Sequence, residues 1–251
     1  MLRRNLRKDR RIHTITTVCK SPEWDKFVVR RTKSDAAITR EQLLDAAERV
    51  FRERGVTRTS LAEVAAAAGV TRGAVYWHFR DKADLFDAMC ERATLPLEQT
   101  LEQAAGAEQS DPLLAIRTLA IDALSRLATD PRTQAVFEVM FNKSELTDEL
   151  GGVASRRDRE RCDCLVHVEH LVARAVAAGQ LAPDTDTALA TRALHSYMGG
   201  LMREWVQDRD AFDLAAAAPA LIDTLLAGLR NAPPRCAASA TAAPGPRIAA
   251  A

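Results

Sequence analysis

Two helix signals separated by a single glycine constrain this chain more than any other stretch: Thr59 to Lys82 reads TSLAEVAAAAGVTRGAVYWHFRDK. Ser60 followed by Glu63 has the spacing of a capping box, in which hydroxyl and carboxylate each satisfy one free amide at a helix start. The spacing predicts a helix through Ala68. Gly69 then stops it, because glycine enters the left-handed conformation at a helix end without a Cβ clash. Thr71 can cap a second helix. Leu61, Val64, Ala65 and Ala68 share a face of the first helix, and Val70, Val75 and Phe79 bring apolar groups to meet them. Two short helices with a tight turn and a common core form a helix-turn-helix. Thr71, Arg72, Gly73, Tyr76, Trp77 and His78 are left on the start and open face of the second helix, where a recognition helix meets base edges and phosphates in a major groove.

Arg72 stands at the second position of that helix, where a guanidinium can bond bidentately to guanine O6 and N7. Gly73 costs a helix about 1 kcal/mol, a cost that fits a backbone brought close to DNA. From Ile38 to Arg54, Leu43, Leu44, Ala47, Val50 and Phe51 recur at helical spacing before Gly55, which predicts a bracing first helix. After Phe79, Asp81 caps a further helix beginning at Lys82 and containing Leu85, Phe86 and Met89.

The run GVTRGAVYWHFRDKADLF resembles the DNA-binding end of TetR-family transcriptional repressors and looks most like the multidrug-efflux repressors of the AcrR and TtgR type. The likeness runs from about Arg30 to Phe86 and continues more weakly to about Arg230. It implies an all-α protein with a helix-turn-helix DNA-binding domain over 29–85, the motif itself at 60–79, and a ligand-binding and dimerisation domain over 86–230. The helix after Phe79 is then the connector whose tilt resets the distance between recognition helices. By the same resemblance Tyr76 and His78 bond phosphates, Ser60 and Thr71 are hydroxyl donors, and Lys82 touches a phosphate. The implied activity is repression of a drug-efflux operon, relieved by a hydrophobic small-molecule inducer. The implied partners are palindromic operator DNA and a second copy of the chain, since two recognition helices about 34 Å apart read successive major grooves. Repressors of this kind begin near Val29. Residues 1–28, with seven basic residues against Asp9 alone over 1–20, therefore have two readings: a basic arm on DNA, or a stretch from a start codon called too early.

Composition sets the outer limits. A length of 251 residues with 47% hydrophobic content can bury a core, and no stretch of eighteen apolar residues occurs that would cross a membrane. The net charge is +1, and residues 29–92 hold twelve Lys and Arg against ten Asp and Glu, so attraction to DNA must come from a local patch such as Arg72, Arg80 and Lys82. Five scattered cysteines are not a disulfide framework and fit a reducing cytoplasm.

Beyond about Pro96 the chain reads as amphipathic helices jointed by Pro, Gly and Asp: Leu113 to Ala128, Pro131 to Lys143, Arg156 to Ala178 closed by Gly179, Asp186 to about Val206, and Leu214 to Arg230. The last two are apolar enough to pair across a dimer axis. A tail from Asn231 to residue 251 lacks periodicity and is expected to be disordered. Phe137, Met140, Phe141, Met198, Leu201 and Met202 place large deformable groups on helices expected to surround a cavity, and they are the candidate ligand contacts as well as ordinary core. Similar repressors carry Asn and His where this chain has Phe137 and Phe141, and some carry an acid at Gly199, so the implied pocket is greasier.

Cys162, Cys164, His167 and His170 raise a metal or thiol sensor as an alternative. Cys162 and Cys164 project about 200° apart on a helix and need a partner from elsewhere to form a tetrahedral site. No G-x-S-x-G, phosphate-cradling Gly loop, H-E-x-x-H or GxGxxG occurs, so no catalytic residue and no cofactor is assigned. A helical ligand carrier that makes no use of its helix-turn-helix is the remaining alternative.

Overall fold

Leu43, Leu44, Ala47, Val50 and Phe51 are all buried, which makes α1 (Lys33–Arg54) the wall against which the helix-turn-helix packs. Gly55, at φ +83°, ends α1, and its amide donates to the Phe51 carbonyl at 2.8 Å. The computed structural model describes residues 33–106, 110–143 and 151–235, so the basic segment 1–28 lies outside the described residues. Helices α2 (Leu61–Ala67), α3 (Arg72–His78) and α4 (Lys82–Gly106) follow, then α5 (Pro112–Thr129) and α6 (Pro131–Glu138) with a π-helical turn at Val139–Lys143. The rest is α7 (Gly151–Ala177), α8 (Thr187–Gln207) and α9 (Leu214–Asn231). Among the described residues there is no β-strand, in agreement with the all-α reading.

The helices build two cores. A head core joins α1, α2, α3 and the first half of α4, with the rings of Phe51 and Phe86 edge-on at 6.2 Å. It is closed by Val136 and Val139, which arrive from α6 and its π turn. A body core joins α5, α7, α8 and α9 and takes Phe137 from the same α6. Side-chain caps fix where body helices start: Asp111 accepts from Leu114 N, Asp130 from Thr133 N, Asp186 from Leu189 N and Asp213 from Ala216 N. Across the body, Arg117 and Asp223 tie α5 to α9 by two bonds at 2.6 and 2.9 Å.

Several boundaries differ from the sequence reading. Helix α1 starts at Lys33, five residues before Ile38, and α2 ends at Ala67 with Ala68 as its cap. Helix α4, for which the sequence reading gives a start at Lys82 and no end, runs through Pro96 to Gly106. An interior proline forfeits one backbone bond, yet Pro96 is exposed and the next turns seat Leu101 and Ala105 against the body core, so burial carries the helix on. The helix read as Pro131 to Lys143 leaves α-geometry after Glu138, and the one read from Arg156 begins at Gly151. The tail was expected to lose structure at Asn231. Instead Asp186 N donates to Pro234 O at 2.8 Å, Thr185 and Arg235 form a bridge, and Arg235 pairs with Asp184, so the chain stays anchored through Arg235.

Candidate nucleic-acid interface and ligand-facing cluster

The start of α2 is fixed by its own side chains. Glu63 N donates to Ser60 Oγ at 3.3 Å, and Ser60 N donates back to the Glu63 carboxylate at 2.8 Å. The Ser60 amide, then its hydroxyl, holds the Glu63 carboxyl below the usual carboxylate range. The turn is a Schellman motif: Gly69 sits at φ +70°, Val70 N donates to Ala65 O at 3.0 Å, and Gly69 N to Ala66 O at 3.1 Å. Thr71 Oγ1 then accepts from Ala74 N at 3.2 Å and opens α3.

Val75 and Phe79 anchor α3 in the head core, and the opposite face is bare. Thr71, Arg72 and Gly73 are exposed, Tyr76 is 49% exposed and Trp77 is 74% exposed. Such an aromatic on a short polar helix, uncovered within its own chain, marks a contact surface. The Arg72 guanidinium lies 5.8 Å from the Tyr76 ring centroid, and the rings of Trp77 and half-buried His78 meet edge-on at 4.7 Å. A Cβ added at Gly73 would meet nothing nearer than Thr71 Oγ1 at 4.0 Å, so no contact within the chain demands glycine there. A groove of about 380 Å³ runs between α1 and α3, lined by Ala36, Thr71, Gly73, Ala74, Trp77 and His78. A second, of about 590 Å³, lies on the other side of α3, where Ser60, Tyr76, Arg80 and Lys82 converge. Lys82 Nζ donates to the Thr57 carbonyl at 3.0 Å, which ties the start of α4 to the loop before α2.

The apolar residues expected around a cavity divide between the two cores. Phe137 is buried in the body core, and half-buried Phe141, Met198, Leu201 and Met202 pack on it. Met140 packs instead on the head core, because the π turn rotates it away from its neighbours. The Phe137 and Phe141 rings meet at 5.5 Å, and the Arg203 guanidinium lies 4.8 Å from the Phe141 centroid. Arg203 was not selected from sequence, although it directly follows Met202 on the helix that supplies three of the candidates. A Cβ at Gly199 would meet nothing within 4 Å, so α8 leaves open space beside Met198. Of the cysteine and histidine set, Cys164 is half-buried, and burial, helped by the Glu98 charge, pushes its thiol above the usual range, opposite to a reactive thiolate. The Cys162 side chain lies outside the described residues. Among the described residues no three His, Cys, Asp or Glu side chains are grouped to hold a metal.

The sequence reading also missed a charged cluster behind α1. Arg92 of α4 donates through Nη1 to Glu41 at 2.8 Å, lies 2.9 Å from Asp45, and donates through Nη2 to Glu48. Its side chain is only 12% exposed. Burial pushes the Glu48 carboxyl above its ordinary value against the pull of Arg92.

Fold and surface together have the form of a helix-turn-helix regulator: a small head that leaves one face of α3 exposed, carried on a helical body. Residues 43–89 match the sequence profile of the bacterial regulatory proteins of the tetR family, and residues 111–231 match that of the MAATS-type transcriptional repressor C-terminal region. The chain is 39% identical over 210 residues to the HTH-type transcriptional regulator TtgR of Pseudomonas putida, covering 82% of this chain and 98% of the relative. It is also similar to NalD, the secondary repressor of the MexAB-OprM multidrug efflux pump in Pseudomonas aeruginosa, with 36% identity, a TM-score of 0.73, and coverage of 80% of this chain and all of that one. SmeT of Stenotrophomonas maltophilia, in its complex with triclosan, gives 34% identity and a TM-score of 0.70 over 76% of this chain and 91% of that one. The chain belongs to the TetR family of transcriptional regulators.

Proposed function

We propose that this protein represses a multidrug-efflux operon from the cytoplasm, acting as a homodimer on a palindromic operator and released by hydrophobic inducers. One observation carries the ligand-released part of this reading. Helix α6 and its π turn place Phe137 and Phe141 at the body cluster while Val136 and Val139 are buried in the head core, so a molecule that displaces the two rings displaces part of the head as well. In this reading Arg72 reads guanine and Gly73 admits the helix backbone to the groove. Ser60, Thr71, Tyr76, His78 and Lys82 bond phosphates along the two grooves beside α3, and Trp77 packs on the DNA backbone. The inducer lies among Phe137, Phe141, Met198, Leu201 and Met202, with Met140 on the head side of the same turn. Dimerisation uses α8 and α9, whose exposed Ala193, Ser196 and Gly200, and Ala220, Ala227 and Gly228, let two copies approach closely.

Fluorescence anisotropy on the DNA upstream of the gene, with triclosan as the probe, tests the reading. The protein should bind a palindromic duplex, and micromolar triclosan, about 8 kcal/mol of binding, should release it. Tight DNA binding that neither triclosan nor structurally varied hydrophobic dyes weaken would leave a repressor but remove this mode of induction.

A further inference from the structure

We propose that Arg132 and Arg92 clasp the pocket helix α6 to α1, and that this ion-pair clasp holds the DNA-binding head at a fixed angle to the body. Glu41, Asp45 and Glu48 stand four and three residues apart on α1 and therefore share one face. All three meet Arg92. Arg132, the second residue of α6, donates to the same Asp45 oxygen at 3.2 Å, so one carboxylate is shared by α4 and α6. A cation in the first turn of a helix works against the helix dipole; the Arg132 charge favours the ionised Asp130 cap, and its ion-pair partner Asp45 is on α1.

The other side of α6 is held just as specifically. Arg209, in the loop after α8, donates to Gln134 at 3.1 Å and to Glu138 at 3.1 Å. Thus α6 is gripped by the body through Arg209 and grips the head through Arg132, with Val136 and Val139 seated between. Helix α4, the other link, carries Pro96 one turn after Arg92. Proline has no N–H to donate to the Arg92 carbonyl, so α4 lacks a ladder bond at the point where it passes from head core to body core. A connector weakened there cannot alone set the angle of the head; the clasp fixes its head-side half against α1 and α6.

This inference rests on the two-headed operator reading, and its test separates the two. The full-length protein is titrated with two duplexes defined by selection from randomised DNA: the palindrome, and one holding a single half-site. A fixed head angle shows as the ratio of the two affinities, whereas damage to α3 or to folding lowers both. Arg92→Gln strands Glu48 in a buried place and can unfold the head, so the variants are made at the exposed end, Arg132→Gln and Asp45→Asn. Each should lower the preference for the palindrome roughly five- to tenfold while half-site affinity stays at the wild-type value. Arg132→Lys should keep most of the preference, and the double variant should lose no more than either single one. Variants that keep the wild-type ratio, lose both affinities together, or add their losses in the double variant would overturn the clasp. A wild-type protein with no preference for the palindrome would overturn the two-headed reading and the clasp with it.

Discussion

Arg203 of α8 stands over the ring of Phe141, with its guanidinium carbon 4.8 Å from the centroid, while the ring of Phe137 meets that of Phe141 edge-on at 5.5 Å. The Phe141 ring is therefore the piece of the body cluster that both a cation and a second aromatic hold in place. Truncating it to Ala removes the contact surface for a planar apolar ligand without touching α2 or α3. Phe141→Ala should cut release by triclosan at least tenfold, about 1.4 kcal/mol, with operator affinity changed less than twofold. Parallel anisotropy titrations with and without triclosan measure both quantities, and a variant that still releases at the wild-type concentration would place the ligand elsewhere.

The head was legible because its signals are local. The Ser60 and Glu63 box, the Thr71 cap and the Gly69 turn are bonds between residues three to five apart, and the sequence spacing alone specifies them. The body helices were legible through the Pro, Gly and Asp at their joints, and four of them start at local side-chain caps, Asp111, Asp130, Asp186 and Asp213. What did not show was whatever depends on one helix meeting another. Nothing near Met140 says that its side chain turns to the head core while Phe141 turns to the body. Nothing near Arg92 announces three carboxylates on a helix more than ten turns of chain away, and nothing near Pro96 says how far α4 continues, because the burial that carries it on comes from Leu101 and Ala105.

Arg72 is exposed at the start of α3, held near the Tyr76 ring and free of an acidic partner among the contacts described. Replacing it by Ala should weaken operator binding by about 1 to 3 kcal/mol and relax base preference at one position per half-site. Selection from randomised duplexes with wild type and Arg72→Ala shows which. A loss spread evenly over all sequences would make Arg72 a phosphate contact.

Asp130 opens α6, the helix that spans both cores, by accepting from the amides of Arg132 and Thr133 and from the Thr133 hydroxyl. The Thr133 hydroxyl first, then the amides, hold its carboxyl below the ordinary value of 3.8. The native state thus binds this proton less readily than the unfolded chain, so the stabilisation is fully present above about pH 3.8 and is lost as pH falls through the lower native value. Asp130→Ala should cost about 1 kcal/mol at neutral pH, and Asp130→Asn, which keeps an acceptor without the charge, should cost less. Urea melts between pH 7 and 3 should show a flat gap between wild type and Asp130→Asn that closes in acid. A gap unchanged down to pH 3 would mean that the cap works without its charge.

Gly73 offers the sharpest separation of stability from function. A methyl group there would meet only Thr71 Oγ1, at 4.0 Å, and alanine is the better helix former by up to about 1 kcal/mol. Judged on its own contacts the head should therefore tolerate Gly73→Ala, and melt at the same temperature or a slightly higher one. The same methyl stands on the exposed first turn of α3, on the side of whatever that helix approaches. If the glycine exists to let backbone and DNA come together, Gly73→Ala should lower operator affinity at least tenfold, about 1.4 kcal/mol, and Gly73→Val should lower it further. Thermal melts and anisotropy on one preparation give both numbers. A loss of DNA binding accompanied by an equal loss of stability would show a folding role, and full DNA affinity in Gly73→Ala would show that α3 does not approach the groove at this residue.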